Sequence, residues 1–340
     1  MKSRALPPTL LLVLIGLVLS ACGAASGAAV EGAAEASTLT LVAYSTPREA
    51  YDELTQSFAE TAAGAGVGFE TSYGSSGEQS RAVEQGLAAD VVALSLEPDI
   101  TRLVKAGMVA EDWSQDEYKG MVTNSVVVLA VREGNPKGIK SWDDLIKPDV
   151  EVITPNPFTS GGAKWNVMAA YGSQIKQGKS EQEATEYLRA MFRNVAVQDK
   201  SAREALTTFT GGKGDVMLAY ENEVITAQQK GEKLEYVVPA ETILIQNPVA
   251  VVTDSKNGEK ARAFVDYLRT PEAQRVFGQK GYRPVVADVL EEFKQYKDPA
   301  RLFTIDEFNG WSAVNEKFFD PEQSVMADIE RERGVDPASK

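Results

Sequence analysis

Small hydroxyl residues and glycines stand at four places where a predicted strand passes into a predicted helix, in residues 44–47, 73–77, 159–162 and 200–203. A helix N-terminus exposes up to four unpaired backbone N–H groups and carries roughly half a positive charge, so it can hold a small anion. Serine and threonine are also favoured helix caps, and capping alone explains any one of these joints. Four such joints in one chain favour helix N-termini that together surround a small dianion without a full counter-charge.

The composition argues against most enzyme chemistry. Histidine is missing from the sequence and cysteine occurs once, which removes Ser-His-Asp and Cys-His catalysis and almost every zinc, copper or haem site. Residues 73–77 look like a nucleophile elbow but lack the Gly-x-Ser-x-Gly spacing, and neither a Walker-type loop nor a dinucleotide motif occurs. A net charge of −14 disfavours nucleic acid as a partner. The sequence therefore predicts a binding protein without metal or cofactor, although a calcium site built from carboxylates stays open.

The N-terminus has the pattern of a secretory signal. A positively charged start precedes an apolar run over residues 10–19, which is too short for a membrane span. Residues 19–22 resemble the bacterial lipobox, in which the cysteine is lipidated and becomes the mature N-terminus; a stray cysteine after a plain signal is the alternative. We expect a lipoprotein signal peptide over 1–21, a lipid anchor on Cys22 and a flexible tether over 22–37. The protein would then be exported and anchored at the outer face of the cell membrane, or held in the periplasm.

Short apolar runs alternate with amphipathic stretches along the rest of the chain. The apolar runs predict strands over 39–43, 67–71, 91–94, 125–131, 150–154, 195–197, 216–219, 236–238 and 243–253. The amphipathic stretches predict helices over 47–63, 77–87, 162–171, 181–192 and 202–209, and a mostly helical chain from 258 onward. This alternation predicts an α/β fold of two lobes, each a mostly parallel sheet flanked by helices, with lobe I from 38–124 plus 248–340 and lobe II from 125–247. The ligand should lie in the cleft, at the carboxyl ends of the strands.

Over nearly all of the mature chain the sequence resembles the periplasmic sulfate-binding protein family of ABC transporters. The stretches that carry the resemblance are residues 73–81, 89–92, 131–137, 152–166, 214–215, 221–223, 281–284 and 302–305. The resemblance implies a two-lobed type II periplasmic-binding-protein fold that closes on its ligand. It also implies that a monomer holds a dehydrated sulfate with uncharged donors and delivers it to the permease subunits of the transporter, and through them to its ATPase.

The family's ligand contacts carry over onto individual positions of this sequence. The resemblance implies backbone and hydroxyl donors at Ser76, Gly161, Gly162, Ala202 and Ser160. Tyr220 stands where the family has a tryptophan, and its phenol can accept a hydrogen bond as well as donate one. Ser45 stands where better-known relatives carry aspartate, and we count it among the ligand-binding residues. Arg203 is expected either to support the site from behind or to form a structural salt bridge.

A pocket made only of donors suits sulfate better than phosphate. Sulfate carries no proton near neutral pH, whereas phosphate carries one or two and would press its O–H against a donor. This reading requires that no carboxylate faces the anion, and Asp199 and Glu221 are the acids nearest in sequence to the proposed contacts. Gly161→Asp is expected to abolish binding and leave the fold intact. Thiosulfate and molybdate-type oxyanions remain alternatives, followed by a phosphate binder, a hydrolase on the same scaffold and a lipoprotein used only for adhesion.

Overall fold

The structure is a computed structural model that describes residues 37–296 and 298–337. Cys22, the predicted signal peptide over 1–21 and all of the predicted tether except residue 37 lie outside the described residues. Within the described ranges, no helix combines the length and apolar character that a bilayer crossing requires.

Eleven strands and twelve α-helices form the described part of the chain. The strands are β1 (Ser37–Tyr44), β2 (Val67–Gly74), β3 (Val91–Ala93), β4 (Met121–Arg132), β5 (Val152–Ile153), β6 (Val195–Val197), β7 (Val216–Tyr220), β8 (Leu234–Val237), β9 (Glu241–Val251), β10 (Arg283–Pro284) and β11 (Arg301–Phe303). The helices are α1 (Arg48–Ala59), α2 (Ser76–Glu84), α3 (Glu97–Lys105), α4 (Gly161–Lys176), α5 (Glu181–Arg193), α6 (Ala202–Thr210), α7 (Glu221–Gln229), α8 (Gly258–Tyr267), α9 (Pro271–Gln279), α10 (Ala287–Leu290), α11 (Gly310–Val314) and α12 (Val325–Glu332). Short 3₁₀ or π turns cover Trp142–Ile146, Ile305–Phe308 and Asn315–Phe319.

The two long strands β4 and β9 join two sets of parallel strands. The strand order is β2-β1-β3-β9-β4-β7-β5-β6. β1 runs parallel to β2 and β3, and β5 runs parallel to β6 and β7, whereas β9 is antiparallel to β3 and β4, and β4 is antiparallel to β7. We call β1–β3 with the end of β9 the first half-sheet, and β5–β7 with the end of β4 the second half-sheet. Helices cover both, so the predicted α/β class with mostly parallel sheets is confirmed.

The central strand β4 is apolar at successive positions because helices cover both of its faces. The odd-numbered residues from Val127 to Val131 contact the cluster that contains α4 and α5. The even-numbered residues from Val126 to Ala130 contact the cluster that contains α6 and α7. Successive side chains of a strand point to opposite faces, so a strand buried on both faces reads as a continuous apolar run. The apolar run over 125–131, which predicted a buried strand, therefore lies in a strand that is buried on both faces.

The C-terminal part of the chain divides between the two half-sheets, unlike the prediction that all of 248–340 belongs to lobe I. Helices α8 and α9 pack with α1 on the first half-sheet, through an aromatic cluster that includes Phe58 and Phe264 with ring centroids 5.2 Å apart. From Arg301 onward the chain packs on the second half-sheet instead. Trp311 meets Trp165 of α4 edge-on at 4.6 Å between ring centroids, and Phe318 lies in the same core cluster. The exact lobe boundaries stay a prediction.

Trp311→Ala tests this packing. The side chain is only 5% exposed and fills the core between α4 and the C-terminal segment. Removing a buried tryptophan costs the transfer free energy of the ring and leaves a cavity, so we expect the free energy of unfolding to fall by about 3–5 kcal/mol. Urea denaturation measures the change, with the half-buried Trp113→Ala as the control variant. A loss of less than about 1 kcal/mol for Trp311→Ala would show that the C-terminal segment does not belong to this core.

Candidate functional site

The starts of α2, α4, α6 and α7, together with the end of β1, enclose one small chamber between the two half-sheets. The chamber is lined by Tyr44, Ser45, Thr46, Gly74, Ser75, Ser76, Ser95, Ser160, Gly162, Ser201, Ala202 and Tyr220. Its volume is about 10 Å³, against about 330 Å³ for a neighbouring cavity. A space of this size holds about one water-sized sphere.

Six of the seven predicted ligand residues line this chamber. They are Ser45, Ser76, Ser160, Gly162, Ala202 and Tyr220. Gly161, the seventh, lies in the wall that separates the chamber from the neighbouring cavity, which it lines together with Ser160. Their contacts with a ligand remain a prediction, but the chain does bring them to one place.

None of the described residues that line the chamber carries a carboxylate. Glu221 points elsewhere and pairs with Arg283 at 2.9 Å, with both side chains almost fully buried. Asp199 accepts a hydrogen bond of 3.1 Å from the Thr208 hydroxyl and does not line the chamber. In residues 37–296 and 298–337, no group of three His, Cys, Asp or Glu side chains is arranged to hold a metal ion. A pocket for an acceptor-only anion requires that no carboxylate faces it, and neither Asp199 nor Glu221 faces the chamber.

At the start of α2 the hydroxyl of Ser76 is hydrogen-bonded within the described part of the protein, whereas the first backbone N–H groups of the helix are not. Ser76 Oγ donates to Asp99 Oδ2 at 2.5 Å and accepts from the backbone N–H of Ser95 at 2.9 Å. The first N–H groups of a helix have no acceptor within the helix. Ser76 can thus offer its amide to a ligand, while its side chain ties α2 to the start of α3.

The start of α4 combines a capping serine with two glycines. Ser160 Oγ accepts from the backbone N–H of Ala163 at 3.4 Å, and the hydroxyl still has its own proton to donate. A Cβ at Gly162 would lie 3.4 Å from Ser160 Oγ and 3.5 Å from the Ala202 Cβ, so it would point among the chamber walls. The glycine therefore lets a ligand approach the α4 backbone.

Gly161 has a second, steric reason to be glycine. A Cβ there would lie 2.6 Å from Leu96 Cδ2 and 2.8 Å from Ser95 Oγ, closer than packed atoms approach. Any side chain at this position would displace residues of the first half-sheet. The expectation that Gly161→Asp spares the fold is therefore wrong, because the packing around Gly161 leaves no room for a carboxylate.

Tyr220 and Ser95 act as one hydrogen-bonding unit. Their hydroxyl oxygens lie 2.7 Å apart and either can donate to the other. Of the two hydroxyl protons, one is used between the oxygens and the other is left for the chamber, whichever residue donates. Burial raises the pKa of Tyr220 well above its ordinary value, so the phenol keeps its proton. The pair thus supplies one donor to a ligand.

Arg203, the residue after Ala202, bridges the two half-sheets. Its guanidinium donates to both carboxylate oxygens of Glu49 on α1, at 2.9 and 2.6 Å, and to the backbone carbonyl of Ser45 at 3.2 Å. Lys230 pairs with the same carboxylate. Burial alone would raise the pKa of Glu49, but the bonds from Arg203 and Lys230 lower it to about 2. Arg203 therefore touches the chamber wall from behind and also forms a salt bridge, which unites the two roles left open by the sequence.

Glu223 is a buried acid just behind the chamber. It accepts a hydrogen bond of 3.0 Å from the backbone N–H of Tyr220 and so caps α7. Burial raises the pKa of this carboxyl to about 7, although the Tyr220 N–H and Arg203 act in the opposite direction. The group therefore changes its charge near neutral pH, beside a chamber suited to anions.

The neighbouring cavity carries a positive charge. It is lined by Arg81, Arg102 and Lys164, and Asp99 is the one carboxylate among the described residues of its lining. Burial and the two guanidinium groups lower the pKa of Lys164 to about 8, while Asp99 acts in the opposite direction. Ser160 and Gly161 form the wall between this cavity and the chamber. These charged groups therefore lie beside the chamber but are not part of its lining.

Several residues in or beside the chamber had no predicted role in the site. Thr46, Ser75 and Ser201 were seen only as members of the joints, and Ser95 and Glu223 were given no role. The joint pattern of hydroxyl residues before a helix could have found Ser95, which follows β3 and precedes α3. No local pattern marks Glu223 as an acid buried behind the chamber, because its burial depends on the packing of α7.

The fold and the chamber define a class of binding protein. Residues 39–283 match the family described as bacterial extracellular solute-binding proteins, and the chain belongs to this family. Within it, a sulfate-binding protein from Synechococcus elongatus is 43% identical over 313 residues, which cover 89% of this chain and 89% of that protein. Membership of a solute-binding family confirms the prediction of a binding protein rather than an enzyme.

Two further relatives are named for binding sulfate and thiosulfate. The structure of the sulfate-binding protein SubI from Mycobacterium tuberculosis superposes with a TM-score of 0.82 and 42% identity, covering 84% of this chain and all of that one. A thiosulfate-binding protein from Pseudomonas aeruginosa is 33% identical, covering 87% of this chain and 93% of that protein. The predicted resemblance and the two-lobed periplasmic-binding-protein fold are therefore confirmed.

Glu223→Gln should remove a pH dependence of stability. Because the pKa of Glu223 is raised from 4.5 to about 7, the folded protein binds more protons than the unfolded chain between these values. This group therefore makes stability fall as pH rises from about 4.5 to about 7. Glutamine keeps an acceptor for the Tyr220 N–H, so the variant should gain stability relative to the parent at pH 8 and little at pH 5, measured by urea denaturation. The exposed Glu78→Gln is the control, and an equal change at both pH values would contradict the assignment.

Proposed function

We propose that this protein captures sulfate outside the cytoplasm and delivers it to an ABC importer. The observation that carries the proposal is a small chamber lined by hydroxyl and backbone groups, with no carboxylate among the described residues of its lining. All four oxygens of sulfate accept hydrogen bonds and none donates. A sulfate dianion in this chamber would therefore offer an acceptor to each donor and would bring no proton of its own.

The proposed donors come from both half-sheets. They are the backbone N–H groups of Ser45, Ser76, Gly161, Gly162 and Ala202, the hydroxyl of Ser160 and the hydroxyl pair of Tyr220. Bonds to a charged group contribute about 1.5–3 kcal/mol each, and a micromolar complex requires about 8 kcal/mol in total. Even after desolvation and closure are subtracted, such a set of donors supports useful affinity. The positive cavity behind Gly161 adds a favourable field.

The proposal extends to the place and partners of the protein. A monomer whose Cys22 carries lipid would stay close to the outer face of the membrane, within reach of the permease subunits. Arg203 and Glu49 would meet when the two half-sheets close, because they lie on α6 and α1 and form their ion pair across the chamber. Lobe I (38–124 and part of 248–340) and lobe II (125–247) would be the bodies that move.

Thiosulfate and molybdate-type anions are the competing ligands within the class. The relative from Pseudomonas aeruginosa is named for thiosulfate, and both anions lack a proton at neutral pH. Each is larger than sulfate, and the chamber is small. Direct competition against bound sulfate ranks the three.

Isothermal titration of the chain from Ser37 to Lys340 tests the proposal. We expect one sulfate site per chain and an affinity for phosphate at least about 100-fold weaker, because each buried clash of a phosphate O–H with a donor costs about 1–3 kcal/mol. Titrations at pH 7 with sulfate, phosphate and thiosulfate give the ranking. Equal affinity for sulfate and phosphate would contradict an all-donor chamber, and the absence of sulfate binding would refute the function.

Gly162→Ala should weaken binding without harming the helix. Its Cβ would lie among Ser160 Oγ, Ala202 Cβ and Tyr220 Cε1 at 3.4–3.7 Å, inside the space that a ligand needs. Alanine is a better helix former than glycine, so stability of the ligand-free protein should hold or rise. Overpacking of this size corresponds to an affinity loss of roughly 10- to 100-fold.

The control for Gly162→Ala is Gly258→Ala, which stands at the first position of α8, where a Cβ has only ordinary contacts with Arg262. It should bind sulfate as the parent does. Unchanged affinity in Gly162→Ala would place the anion away from the start of α4.

A further inference from the structure

Ser75 differs from the other serines that precede the helices of the chamber. Ser160 and Ser201 also stand immediately before a helix, and their Oγ atoms accept from the N–H groups of Ala163 and Glu204. Ser75 has the extended backbone of a helix cap, with φ −71° and ψ 143°, but its hydroxyl makes no capping bond. The hydroxyls of its counterparts are engaged with their own helices, whereas that of Ser75 is not.

The Ser75 hydroxyl is buried and has no partner among residues 37–296 and 298–337. The residue is 4% exposed, its Oγ atom is inaccessible to solvent, and it makes no hydrogen bond there. Ser75 also lines the chamber. Buried hydroxyls are costly unless they are hydrogen-bonded, so most of them have a partner. An unpaired hydroxyl in the wall of a ligand chamber is therefore suited to bond the ligand.

We propose that the Ser75 hydroxyl donates a hydrogen bond to the bound oxyanion and is a ligand contact in addition to the donors given above. The inference rests on the proposed function, since it assumes an acceptor-only anion in the chamber. Facing such an anion, a hydroxyl can only donate. Its neighbour cannot take the same role, because Ser76 Oγ is already bonded to Asp99 and to the Ser95 amide.

The geometry around Ser75 also separates a binding role from a structural one. Because its Oγ bonds no described protein group, removing the hydroxyl breaks no bond within the described protein. A serine that held α2 in place would stabilise the free protein, whereas a serine that bonds the ligand stabilises only the complex. Thermal stability without sulfate and affinity for sulfate should therefore respond differently to the same substitution.

Ser75→Gly is the variant to test, because glycine keeps most of the helix-capping preference of serine. We expect sulfate affinity to fall by about 10- to 100-fold, the range for a lost bond to a charged group. The melting temperature without sulfate should not fall, because the substitution removes an unpaired buried hydroxyl. The dissociation rate should rise, since the bond exists only in the complex. Ser75→Ala serves as a second variant, and circular dichroism verifies that both fold.

Ser72→Ala is the matched control. Ser72 lies on β2, three residues before Ser75, but its hydroxyl pairs with the Gln79 side chain and it does not line the chamber. It should bind sulfate as the parent does. Affinity equal to that of the parent in Ser75→Gly would overturn the inference and leave the proposed function standing. If the parent itself shows no sulfate binding, the inference falls together with the proposed function.

Discussion

Unpaired peptide N–H groups at the starts of helices are the constraint around which the chamber is built. Such groups must find acceptors, and they carry only partial charges, so they act strongly on an anion only where water is excluded. The residue types follow from this. Glycine at Gly162 lets the backbone come close, serine at Ser160 serves helix and chamber together, and acids such as Glu221 are held away by a cation. Full charges stay one layer behind, at Arg203 and around Lys164.

The antiparallel pair β4 and β9 lets two separate α/β units meet at one chamber. The parallel strands of each half-sheet are followed by helices whose N-termini lie at the chamber. A site shared in this way is incomplete in either half alone. Ser76 and Ser45 come from the first half-sheet, whereas Gly162, Ala202 and Tyr220 come from the second. We therefore expect closure and ligand contact to be parts of one process.

Much of this arrangement could be predicted from the sequence, because the joints are local and strands buried on both faces are recognisable. Six of the seven predicted ligand residues line the chamber, although the resemblance and not the spacing selected Tyr220. The predictions failed for elements whose type or position depends on contacts with residues distant in the sequence. Helices α3 and α7 were missed, the short strands β10 and β11 lie in a region predicted to be helical, and the segment from Arg301 joins the second half-sheet. The free hydroxyl of Ser75 likewise depends on what surrounds it, which no local pattern records.

The position of Arg203 directly after Ala202 has a consequence for transport. The proposed amide donor of Ala202 and the guanidinium of Arg203, which bonds Glu49, lie on the same turn of α6. The two groups therefore move together. Electrostatic attraction between the halves therefore operates whether the chamber is filled or vacant. We expect this ion pair to favour a closed form of the protein even before an anion binds. A transporter that responds to the loaded protein would then have to distinguish two closed forms, one with the anion and one without it.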